Sequence, residues 1–143
     1  MYFKKAKIKN FLILGLLILS CPNCNKDSTS NRVPYVPVNL IINANDLLTI
    51  PIGATKSYPG GNDSIYVYHS DLSSFIAYDR LCTNYPNDTS AVVTDIPGGT
   101  TATCPRCKSR FELIYGSVLK GPAPTPLKQY QANMVDGRLY ITN

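Results

Sequence analysis

Three cysteines carry the clearest chemistry in this chain: Cys82, and the pair Cys104 and Cys107 in the run Cys104-Pro105-Arg106-Cys107. A Cys-x-x-Cys spacing brings two thiols to one turn, and it suits zinc, a redox disulfide or an iron–sulfur cluster alike. Asn84, two residues after Cys82, offers only a neutral amide oxygen, a poor donor to soft metals. His69 is the sole histidine; it lies thirteen residues before Cys82 at what reads as a strand end, which suits a hairpin-end or surface role. With one histidine, a Ser-His-Asp set has little to draw on, and neither a paired-acid motif nor a phosphate-binding glycine loop occurs. The residue types point away from an enzyme and towards thiol or metal chemistry.

Two further cysteines belong to a different kind of segment. Lys4, Lys5, Lys7 and Lys9 precede the apolar run Phe11–Leu19, which ends at Ser20-Cys21. At about 1.5 Å per residue a nine-residue helix falls far short of a hydrocarbon core of about 30 Å, so residues 1–20 read as a signal peptide and not as a permanent span. The run Ile18-Leu19-Ser20-Cys21 resembles a bacterial lipobox, which implies acylation of Cys21 and attachment to a membrane through lipid. The expected location is the bacterial cell envelope. Pro22, standing where an inner-membrane retention Asp would be, points to the outer membrane, with the domain in the periplasm or at the cell surface. Residues 21–34 are polar and aperiodic and read as a flexible tether; Cys24 lies on it and is given no chemistry.

The remaining residues, 35–143, must position the three thiols. An apolar fraction of 44% supports one domain with a modest core. Nine Gly, eleven Pro, ten Tyr and no Trp exclude a coiled coil or solenoid and favour a turn-rich, all-β fold. The net charge of +5 comes mostly from the four leading lysines, and from residue 21 onward it is +1, so no nucleic-acid partner is implied. Val36–Ile42 reads as a first strand. Ile65–Tyr68 and Phe75–Tyr78 suggest a hairpin across Ser70–Ser73. Ala91–Thr94 and Thr101–Thr103 flank a Pro97-Gly98-Gly99 turn, and Phe111–Leu113 precedes Gly116. Tyr130–Met134 and Leu139–Ile141 are joined by Asp136-Gly137, a two-residue hairpin signal, whereas Ala44–Leu48 has room for one helical turn.

The context of the cysteines resembles the Rieske iron–sulfur domain family. The resemblance runs through Phe75–Thr83, Cys104-Pro105, Ser109, Gly116, Gly121-Pro122-Ala123-Pro124, Leu127, Tyr130 and Leu139–Ile141, covering roughly residues 64–143. It implies antiparallel sheets with two convergent cysteine loops, each giving one Cys to the first iron and one His to the second. Cys82 and Cys104 match the family's cysteine ligands, but Asn84 and Cys107 stand at the histidine positions. The resemblance further gives Ser109 a hydroxyl role beside the cluster and makes Gly121-Pro122 part of a proline loop over it; Phe111 replaces a tyrosine found in some members. A disulfide that staples the loops in some members would fall at Asn87 and Arg106, and is therefore lost.

Imidazole on one iron is what lifts the potential of such a centre above that of an all-thiolate one, so the usual 2Fe-2S cluster is not expected here. Three outcomes remain open: a cluster-free module whose loops are closed by a disulfide from Cys82 to Cys104 or Cys107, an electron-transfer protein with a non-standard 2Fe-2S centre, or a zinc site on Cys82, Cys104, Cys107 and a fourth ligand. The first is the leading expectation, with an envelope protein of unknown identity as partner. Arg106, Lys108 and Arg110, within five residues of one another, read as solvated loop charges, or as a docking face for anions that would also depress nearby thiol pKa values.

Overall fold

A computed structural model describes residues 32–90, 93–95 and 99–143. The expected signal peptide, Cys21, Cys24 and most of the expected tether lie outside the described residues, as do Ala91, Val92 and the Pro97-Gly98 part of the expected turn. The elements are β1 (Asn39–Ile42), α1 (Ala44–Leu47), β2 (Thr55–Pro59), β3 (Ser64–Asp71), β4 (Ser74–Asp79), β5 (Thr94–Asp95), β6 (Thr101–Thr103), β7 (Arg110–Glu112), β8 (Val118–Lys120), β9 (Gln129–Val135) and β10 (Arg138–Thr142). The expected all-β class is what the structure has.

The strands form two antiparallel sheets, a larger one in the order β1-β10-β9-β4-β3-β2 and a smaller one in the order β5-β6-β7-β8. The β3–β4 hairpin joins their two cores. Along β3, Ile65 and Val67 face one buried cluster with Ala77, Tyr130, Leu139 and Ile141, whereas Tyr66 and Tyr68 face the other with Tyr78, Phe111 and Leu113. Side chains alternate across a strand, so a strand buried on both faces must be apolar or aromatic at consecutive positions, as Ile65–Tyr68 is. The second core underlies the cysteine loops and includes Cys82 and Cys104 themselves.

The hairpins expected at β3–β4 and β9–β10 are present. Asp136 and Gly137 both take positive φ, 48° and 72°, the turn geometry that Asp-Gly accommodates. β1 begins at Asn39 rather than Val36, although Val38 is already buried and donates its N–H to Asn143 Oδ1 at 2.6 Å. β2 was not legible: Thr-Lys-Ser-Tyr-Pro is an edge strand paired on one side only, to β3, and polar enough to read as loop. The chain is held before residue 35, because the Pro34 carbonyl accepts hydrogen bonds from Lys128 Nζ at 2.8 Å and Asn62 Nδ2 at 3.0 Å.

Candidate functional site

The first cysteine loop leaves β4 at Asp79, whose side chain is fully buried. Its Oδ2 accepts from Tyr130 Oη at 2.6 Å, Asn62 Nδ2 at 2.8 Å and Asn62 N–H at 3.0 Å, and its Oδ1 accepts the Leu81 N–H at 3.0 Å. A buried carboxylate needs this many donors to offset its lost hydration. The Leu81 bond sets the direction of the chain one residue before Cys82. A turn follows, with Tyr85 N–H donating to the Cys82 carbonyl at 2.8 Å.

The second loop is the tip of the β6–β7 hairpin. Cys104 N–H donates to the Ser109 carbonyl at 2.9 Å and Lys108 N–H to the Cys104 carbonyl at 2.9 Å, with Lys108 at φ 63°. A third segment, Gly121–Thr125, closes over both. Ala123 N–H donates to Ser109 Oγ at 2.8 Å, and Thr83 Oγ1 donates to the Thr125 carbonyl at 2.7 Å. Gly121 and Pro122 are themselves exposed, so contact with the loops is made by the buried Ala123.

These connections bring together three sulfurs from two loops. The Sγ atoms of Cys82, Cys104 and Cys107 all lie within 4.8 Å of one another, and Cys82 Sγ is 3.6 Å from Cys107 Sγ. Cys82 and Cys104 are fully buried, while Cys107 is half-buried. Burial pushes the Cys82 thiol up; the Asn84 backbone N–H aimed at its sulfur opposes this without reversing it. Burial also acts to raise Cys107, but hydrogen bonding to the Ser109 hydroxyl, 3.0 Å away, and to the Ser109 backbone outweighs it and lowers the pKa. The site thus pairs a protonated buried thiol with an accessible one that ionises more readily. All three cysteines are free thiols, so the expected disulfide is not formed here, although its two sulfurs are in contact.

The other residues singled out above fall as follows. Asn84 is half-buried and contributes to the site through its backbone N–H. His69 stacks on Phe75 with ring centroids 4.3 Å apart and places Nδ1 2.6 Å from the Ile50 carbonyl, a structural role in the larger sheet. Phe111 is fully buried in the core beneath the loops. Lys108 and Arg110 are exposed. Arg106 is not simply a solvated charge: it forms an ion pair with Asp88 and lies 4.3 Å above the Tyr85 ring, both on the opposite loop. Asp88, Tyr85, Thr83 and Asp79 were missed by sequence reasoning because a cross-loop or buried polar contact leaves no periodic trace.

A 2Fe-2S cluster needs donors at two irons. In the family arrangement Cys82 and Cys104 serve one iron, and the residues at positions 84 and 107 serve the other. The Cys107 sulfur instead touches that of Cys82, where a ligand of the same metal ion sits. Among the described residues no further Cys, His, Asp or Glu joins the three cysteines. The donor set does not fit the binuclear group.

No family model matches the chain. The iron–sulfur subunit of the cytochrome b6-f complex of Chlorobaculum tepidum is 25% identical over 100 residues, which is 65% of this chain and 52% of that subunit. The match thus spans about half of that relative's length. Among solved structures, the plasma-membrane Rieske protein PetC3 of the cyanobacterium Synechocystis PCC 6803 superposes with a TM-score of 0.55 at 18% identity, over 74% of this chain and 99% of that one. The ferredoxin of Sphingomonas yanoikuyae B1 gives 0.51 at 23% identity, over 76% and 99%. At such identities the structural likeness speaks to fold alone. The described residues have the fold of Rieske-type iron–sulfur domains.

Proposed function

We propose that the protein is a lipid-anchored component of the bacterial envelope whose Rieske-type domain has given up its iron–sulfur cluster and works as a binding or structural module with a thiol site at its tip. One observation carries this reading: the residue at the second histidine position, Cys107, lies with its sulfur 3.6 Å from Cys82 instead of facing a second iron. In an oxidising compartment thiols in contact favour pairing. A Cys82–Cys107 bond would close a loop of about 25 residues and, in the chain-entropy model, stabilise the domain by about 3 kcal/mol. The electron-transfer relatives support descent from a redox carrier, while the donor set argues against that chemistry persisting.

Metal and acid-labile sulfide analysis of the purified chain, expressed with iron and sulfide supplied, tests the reading. The expected protein is colourless, contains neither iron nor sulfide, and shows by mass spectrometry a disulfide that includes Cys82. Stoichiometric iron and sulfide with a visible charge-transfer spectrum would overturn it in favour of electron transfer.

A further inference from the structure

Three sulfurs lie within 4.8 Å of one another, two of them on fully buried side chains of the core cluster that also holds Val93, Phe111, Leu113 and Ala123. Such a constellation has a use in its reduced form that neither a disulfide nor a cluster exhausts. We propose that Cys82, Cys104 and Cys107 bind a single monovalent copper ion in a three-coordinate, all-sulfur site. This rests on the cluster-free reading above.

Geometry supports one metal ion and three bonds. With metal–sulfur bonds of about 2.3 Å, three sulfurs around one ion stand about 4.0 Å apart in a trigonal plane. The Cys82–Cys107 separation of 3.6 Å and the 4.8 Å ceiling on all three pairs bracket that value, so small side-chain rotations complete the triangle.

Donor chemistry selects the ion. Thiolates favour Cu(I), zinc and iron–sulfur clusters over harder cations. The placement of Cys107 argues against an iron–sulfur cluster. Zinc holds four ligands in structural sites and recruits water when the protein supplies three. Here two of the three ligands are buried against apolar side chains, and Ser109 Oγ already serves the Cys107 sulfur and the Ala123 N–H. A monovalent d10 ion satisfied by three sulfurs matches the donors present. Binding breaks three S–H bonds, forms three Cu–S bonds and releases three protons, with no change of oxidation state.

The resulting charge is −2, and the exposed side of the loop carries Lys108 and Arg110 to offset it, Arg106 being paired with Asp88. The Asn84 and Ser109 backbone groups hydrogen-bonded to sulfur contribute in the same sense. Disulfide formation between Cys82 and Cys107 removes two of the three ligands. Copper retention and the oxidised state are therefore mutually exclusive.

The test titrates the full chain, reduced and held without oxygen, with Cu(I) in competition with a chromophoric Cu(I) chelator. The expected result is one copper per chain, with three sulfur neighbours and no nitrogen or oxygen by X-ray absorption. C82S, C104S and C107S should each weaken binding by about a hundredfold or more, beyond the loss usual for a supporting residue. C24S should leave it unchanged. C107S, altering the least buried of the three, and X-ray absorption on the unaltered chain keep the proposal testable should the buried variants fail to fold. Absence of copper binding, a nitrogen or oxygen ligand, preference for four-coordinate zinc in direct competition, or loss of binding in C24S would each overturn the proposal. Iron and sulfide in the isolated chain would overturn the cluster-free reading as well, whereas a metal-free chain that ignores copper overturns only the copper site.

Discussion

Arg106 crosses from the second cysteine loop to pair with Asp88 on the first, and its guanidinium rests on the Tyr85 ring. Position 106 is one of the two at which some Rieske domains carry a stapling disulfide, so an ion pair and a cation–π contact span the same gap without a covalent bond. Both partners are well exposed, with side chains 51% and 36% accessible, which limits the pair to about 0.2–1 kcal/mol, with a further contribution of about 0.5–1 kcal/mol from the ring. Arg106→Ala should therefore lower the melting temperature by a few degrees. The difference from the unaltered protein should shrink in molar salt, where the ion pair is screened. A salt-independent difference would assign the effect to the ring contact alone.

Gly61 stands over the Asp79–Tyr130 pair at φ +66°, and a Cβ there would come within 2.7 Å of Tyr130 Oη and 2.9 Å of Asp79 Oδ2. Gly61→Ala combines left-handed backbone strain with displacement of a buried hydrogen bond, and should cost at least about 2 kcal/mol by urea denaturation. Asp79→Ala should cost more, about 3 kcal/mol or above, because it strands the Tyr130 hydroxyl, the Asn62 groups and the Leu81 N–H together. A near-neutral result for either would mean that the loop does not depend on this anchor.

Stability should fall in alkali. Burial, and next the hydrogen bond to Asp79, raise the Tyr130 phenol well above its ordinary range. A group whose pKa is higher in the folded state stabilises fully below its unfolded value, about 10, and that contribution is lost as pH rises beyond it. Tyr78 shifts in the same direction, chiefly through burial. Urea midpoints measured from pH 8 to 11 should drop more steeply for the unaltered protein than for Tyr130→Phe, which is less stable at neutral pH by about 1–2 kcal/mol. Parallel curves would show that Tyr130 titrates alike in both states.

Alkylation should discriminate among the thiols. Cys107 is the accessible one, and its ionisation is favoured by Ser109. Iodoacetamide should label Cys107 before Cys82 or Cys104 in the reduced native protein, as peptide mapping would show. Ser109→Ala should move the pH profile of that labelling upward. Faster labelling of Cys82 would place the buried and exposed roles the other way round.

The lipid anchor is tested by fractionation. On the proposed anchoring, Cys21→Ser should transfer the protein from the membrane to the soluble fraction, because the membrane affinity would come from acyl chains on that residue. An unchanged distribution would remove the anchor from the proposed function.

Much of the architecture could be read from residue order. Ile65–Tyr68 and Phe75–Tyr78 announce a hairpin by their β-branched and aromatic content, and Asp136-Gly137 announces another by its turn chemistry. Cys104 and Cys107 are marked as neighbours by their own spacing, but Cys82 was recognisable as joining them only through the family's loop spacing, since no local rule links residues 82 and 107. Lys56 and Tyr58 sit on an edge strand, Thr-Lys-Ser-Tyr-Pro, that is too polar to show an apolar–polar alternation. The Arg106–Asp88 contact was equally invisible, because charge pairing across loops depends on how the tips meet. For Cys107, the residue type alone did not tell whether the sulfur would face a second metal ion or its own neighbours; that depended on a distance.

The β6–β7 tip keeps its shape through main-chain bonds between Cys104 and Ser109 and between Lys108 and Cys104, which use no side chain of residues 104–108. These two bonds are therefore indifferent to which donor atoms positions 104 and 107 carry. A change of side chain at position 107 thus leaves this main-chain frame in place, and the loop's backbone does not dictate the chemistry it presents.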